Sequence, residues 1–76
     1  GLYLAIGDIG MHRMDYETAA ANYLKASNLF IDDREIKPLG LLRAAEAMEK
    51  GGKMERATQI RKQLREEFPS WKSPES

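Results

Sequence analysis

An all-α chain of two tandem antiparallel helix–turn–helix units, four helices forming a short α-solenoid segment, is the fold class that this sequence predicts. Three observations carry it. Small and apolar residues recur at spacings of three and four through four segments, and no stretch alternates as a strand does. The second half of the chain repeats the pattern of the first.

The first predicted helix covers 2–13, with Leu2, Ile6, Ile9 and the stem of Arg13 on one face and Tyr3 and Leu4 apolar besides. Gly7 and Gly10 each cost about 1 kcal/mol against Ala inside a helix. A helix that keeps them is expected to have another backbone passing close by. Met14-Asp15 is the turn, and the Asp15 carboxylate suits the N-cap of the helix that follows.

That second helix, 15–30, is the packing element of the chain. Tyr16, Ala19, Ala20, Tyr23, Ala26 and Phe30 fall on one stripe, and alanines between rings allow a neighbouring helix to approach closely. The aromatic residues are therefore expected in the core. Ile31-Asp32-Asp33 interrupts the pattern, and either aspartate is placed to cap a third helix. Pro38 fits a first turn, where its missing N–H is not needed. Leu41, Ala44, Ala45 and Met48 form the core face of this helix, Glu46 and Lys50 have the favourable i, i+4 order, and Gly51-Gly52 ends it. The fourth helix spans about 53–68, with Met54, Ala57, Ile60, Leu64 and Phe68 inward and Pro69 as its stop. The tail 70–76 is polar and irregular apart from Trp71, which is expected to fold back as a lid.

When the two halves are laid on each other, Gly7 falls on Ala45, Asp15-Tyr16 on Lys53-Met54 and Ala19 on Ala57. Tyr23 falls on Arg61, Ala26 on Leu64 and Phe30 on Phe68. Small residues meet small ones, and turn meets turn. The pattern of a small residue within the first helix, a Gly-acidic-aromatic turn, then Ala, aromatic and Ala before a closing Pro resembles the tetratricopeptide repeats. Gly7, Asp15-Tyr16, Ala19, Tyr23 and Ala26 carry it in the first unit; Ala45, Gly52, Met54, Ala57, Leu64 and Pro69 carry it in the second. The resemblance covers about 3–69, with unit one near 2–31 and unit two near 36–69, and implies a right-handed solenoid. The stretch 52–71 is similar to repeats of bacterial cell-envelope and secretion-assembly proteins. Met14 stands where the turn glycine is usual, Ile31 where the proline is usual, and Arg61 where an aromatic is usual. The offset between the halves exceeds the family's usual period by about one helical turn, so the second unit's first helix starts early or follows a longer loop.

Composition narrows the partners. Twelve basic and twelve acidic residues cancel, and the halves differ only slightly: four basic and six acidic in 1–38, eight and six in 39–76. Neither polyanions nor acidic membranes are favoured by such a field. The absence of cysteine removes disulfides and thiolate chemistry and is compatible with a cytosolic or an exported chain. No apolar run reaches the length of a membrane span. Lys53, Arg56, Arg61, Lys62 and Arg65 give the fourth helix positive charge, but Glu55, Glu66 and Glu67 interrupt it, which argues against nucleic acid. Asp8 and His12 are spaced i, i+4, yet two ligands without a third make a poor metal site. Serines 27, 70, 73 and 76 have no matched base, and one His cannot serve several catalytic roles. The chain is expected to be non-enzymatic and to need no cofactor or metal.

The resemblance implies a groove lined by the first helix of each unit, receiving a peptide or a partner's helix. By position its candidates are Leu4, Ala5, Asp8, Met11 and His12, then Leu42, Arg43, Glu46, Glu49 and Lys50, with Leu4, Met11 and Leu42 as one apolar patch. Members of the family that bind chaperones clamp a C-terminal carboxylate, and Asp8 and Glu46 stand where that clamp would place asparagines. Carboxylates there repel such a ligand. Two repeats leave Leu2, Tyr3, Leu4 and Ile6 without a preceding unit. Further repeats before Gly1, or a homodimer partner on the N-terminal helix, are the expectation, and a terminal structural unit is the alternative to peptide capture.

Overall fold

The computed structural model describes residues 1–74, so of the tail Glu75 and Ser76 lie outside the described residues. Four helices follow in order: α1 Leu2–His12, α2 Tyr16–Leu29, α3 Ile36–Lys50 and α4 Met54–Glu67. No strand occurs among the described residues. Each helix packs on the next, most extensively α2 on α3.

The repetition extends to the backbone hydrogen bonds. Under the offset that lays Asp15 on Lys53, α2 covers the span of α4, and α1 covers α3 except for its first turn, Ile36–Leu39. The added length of the period is thus helix, an early start to α3 rather than a longer loop. Asp33 Oδ1 caps that start, accepting from the Glu35 and Ile36 amides at 2.9 and 2.8 Å. These two bonds, Ile36 first, hold the Asp33 carboxyl below its ordinary range.

Both hairpin turns close in the same way. Asp15 N donates to Gly10 O at 2.8 Å and Met14 N to Met11 O at 3.0 Å; Lys53 N to Met48 O and Gly52 N to Glu49 O repeat the pair at 2.7 and 3.2 Å. This is the 6→1 and 5→2 closure of a helix C-terminus, which places one residue in the left-handed region. Gly52 takes it with φ +83°, and Met14 takes it with φ +61°. Met14 therefore stands in for a glycine at a steric cost. Asp15 caps α2, accepting from the Thr18 amide at 3.3 Å.

Alanines make the core. Ala19, Ala20, Ala44 and Ala47 surround the ring of Tyr23, and Leu41, Ala45, Ala57 and Ile60 form a second cluster between α3 and α4. Leu24 and Met48 touch both clusters and join them. The expectation of a close backbone holds at Gly10, where a Cβ would lie 3.0 Å from the Ala19 amide, whereas at Gly7 the neighbour is a side chain, the Tyr23 ring, 2.5 Å from such a Cβ. Gly40 plays the same part on α3, where a Cβ would come within 2.8 Å of the Tyr23 carbonyl.

Two assignments to the core are corrected. Phe30 is 43% exposed because α2 ends at Leu29 and Phe30, leaving the helix as its C-cap, swings toward Gly1. Met54 is 57% exposed because at the first position of α4 it precedes the turn that meets α3. Tyr16, Leu64 and Phe68 are half-buried, while Gly7, Ala19, Tyr23, Ala26, Ala45 and Ala57 are buried.

Candidate functional site

The predicted groove residues divide into three groups. Leu4 and Met11 pack against the Ala-rich cluster around Tyr23 and belong to the core's edge. Leu42 lies elsewhere, in the wall of a cavity between α3, α4 and the tail. Leu4 and Met11 are half-buried against residues of α2 and α3, and Leu42 is half-buried on the cavity side. Ala5, Asp8, His12 and Lys50 are exposed, and Arg43, Glu46 and Glu49 are half-buried.

Polar side chains cross between helices along this side. Tyr23 Oη donates to Asp8 Oδ1 at 2.5 Å, linking α2 to α1. Burial raises the Tyr23 phenol above its ordinary value, and the bond to Asp8, with the charges of Asp8 and Glu46, raises it further; Arg43 opposes them. The phenol stays protonated and donates to Asp8. In the second hairpin Arg61 replaces the tyrosine and reaches Glu49, its Nε 2.7 Å from Oε2 and its Nη2 2.9 Å from Oε1. The guanidinium holds the Glu49 carboxyl below its ordinary range. Of the cations along the fourth helix, Arg61 is thus tied to α3, and Lys62 lies 3.9 Å from Glu66. Among the described residues, no three His, Asp or Glu side chains gather as metal ligands, and no helix is long and apolar enough to cross a membrane.

The cavity holding Leu42 has a volume of about 520 Å³. Glu46, one turn on from Leu42, shares its wall with Leu64, Arg65, Phe68 and Trp71. Trp71 folds back into the wall rather than over it: half-buried, its Nε1 donates to Glu35 Oε2 at 3.2 Å. Beside it Lys37 Nζ lies 2.7 Å from Glu67 Oε1 and 5.9 Å from the centre of the Phe68 ring, clipping the start of α3 to the end of α4. Helical periodicity carries no signal for that pair, because its members stand on different helices and neither lies on a core stripe.

A second, smaller cavity of about 290 Å³ opens between α2 and the α3–α4 turn, lined by Tyr16, Ala20, Leu24, Met48 and Arg56 among others. At about 100° per residue, Leu42 and Glu46 point away from Ala47, Met48 and Gly51, so the two cavities lie on opposite sides of α3. Leu24 and Met48, which join the two core clusters, are half-buried in the wall of the second. No family model, curated protein or solved structure matches this chain.

Proposed function

We propose that the chain is a non-enzymatic protein-interaction module, two tetratricopeptide-like hairpins that hold a peptide or a partner subunit. The observation that carries this reading is the cavity of about 520 Å³ at Leu42 and Glu46, where apolar walls stand beside unlike charges. Such a mixture fits a side chain and its flanking polar groups. Alanine packing and the Tyr23–Asp8 and Arg61–Glu49 links join the helices of the module. Selection of peptides from a displayed random library by the wild-type chain and by Leu42→Glu tests it. Sequences enriched by the first and lost with the second support it; no enrichment by a folded chain overturns it.

A second reading, a structural or self-associating unit, has its own observation. Leu2 and Ile9 are 71% and 52% exposed and share a face of α1 with half-buried Ile6. Sedimentation velocity separates the two. A dimer dispersed by Ile9→Glu favours self-association, and a monomer at all concentrations counts against it.

A further inference from the structure

We infer that the cavity between α3, α4 and the tail is the seat of an acidic amphipathic helix from a partner protein; the inference rests on the interaction-module reading and names its partner class. The first ground is the repetition within the fold. Leu42, Glu46, Leu64, Arg65 and Phe68 are the second-hairpin counterparts of Leu4, Asp8, Ala26, Ser27 and Phe30. On the first hairpin, that place is filled by α3. Ser27 is 1% exposed and its Oγ donates to the Lys37 carbonyl at 3.1 Å, Ala26 is 2% exposed, and Gly40 lies against Ser27. On the second hairpin the equivalent Arg65 is exposed and Leu64 only half-buried, with the cavity beside them. The surface that receives α3 on the first hairpin is thus repeated on the second, where it is open among the described residues.

Side-chain chemistry decides which helix fits. Leu64 and Arg65 are larger than Ala26 and Ser27, so an occupant sits farther out than α3 does and meets Leu42, Leu64, Phe68 and Trp71 with its apolar face. Among the described residues, Arg65 and Lys72 have no carboxylate partner and Glu46 is the one carboxylate in the wall. Flanking acids on the occupant complete that balance.

Trp71 is the sole tryptophan and lies in the wall, so its emission reports occupancy of this seat. The full chain is titrated with two synthetic amphipathic helices of about 15 residues, sharing one Leu/Ala face and flanked by Glu in one and Lys in the other. The expected result is a shift in Trp71 emission with the Glu peptide, and binding roughly tenfold tighter than the Lys peptide. Arg65→Glu combined with Lys72→Glu reverses that order, with circular dichroism confirming that the helices persist. Equal binding of both peptides, or a preference that survives the charge reversal, overturns the inference. So does Glu-peptide binding that leaves Trp71 silent and is lost in Lys53→Glu/Arg56→Glu, although that outcome keeps the module reading and moves it to the opposite cavity. No binding of either peptide, with library selection still yielding ligands, overturns this partner class alone.

Discussion

Arg61 holds the Glu49 carboxylate through two hydrogen bonds of 2.7 and 2.9 Å, joining α4 to α3 where the first hairpin joins α2 to α1 through Tyr23 and Asp8. The same helical position thus reaches for an acid on the preceding helix in both hairpins, by a phenol in one and a guanidinium in the other. Side chains of both Arg61 and Glu49 are about a third exposed, at 37% and 31%, so the pair is worth under about 1 kcal/mol. A double-mutant cycle with Arg61→Met and Glu49→Gln, read by urea midpoints, is expected to return a small favourable coupling.

Acid weakens this link and the Lys37–Glu67 clip together. Arg61 depresses Glu49, and Lys37 followed by Gln63 depresses Glu67, each from an ordinary 4.5. The unfolded chain therefore takes up protons at higher pH than the folded one. The stability these carboxylates contribute is present above about pH 4.5 and is lost as pH falls through their lower folded values. Thermal midpoints should fall more steeply below pH 4.5 in the wild type than in Glu49→Gln/Glu67→Gln. Parallel acid limbs in the two proteins would contradict the assignment.

Met14→Gly should stabilise the chain. Met14 is 74% exposed and sits at φ +61°, the place that Gly52 fills in the second hairpin at φ +83°. Relief of the left-handed strain is worth about 1 kcal/mol, roughly 4–8 °C in the midpoint of a domain this small. Gly52→Ala, with nothing within 4 Å of the added Cβ, should cost a similar amount through the backbone alone.

Gly40→Ala should destabilise by about 1–3 kcal/mol despite the better helix propensity of alanine. Its Cβ would stand 2.8 Å from the Tyr23 carbonyl, a backbone atom that cannot rotate away, so α2 and α3 must part. A denaturant midpoint equal to or above wild type would show that the interface yields.

Tyr23→Phe should cost about 1 kcal/mol, the net value of one hydrogen bond whose acceptor, Asp8, still reaches water. Tyr23→Ala removes a ring 2% exposed and should cost about 3–5 kcal/mol, enough to unfold a domain of this size. Near-ultraviolet circular dichroism and urea titration separate the two.

Much of the fold is legible in the chain itself. Boundaries of the four helices follow from the spacing of alanines, from Asp15 and Asp33 as caps, and from Gly51-Gly52 as a stop, because these are local effects within a turn or two of chain. The close helix contact at Gly7, Gly10 and Ala19 is also legible, since a helix keeps glycine where something presses on it. Phe30 and Met54 mislead for the opposite reason. Both continue a periodic stripe past the point where the helix still has a neighbour. For the candidate site, local pattern is enough to tell which residues are polar and which share a face with Leu42. It is not enough to send Leu4 and Met11 to the core, to bring Lys37 to Glu67 or to carry Trp71 to Glu35. Those pairings depend on where separate helices cross, which long-range packing fixes and local periodicity does not encode.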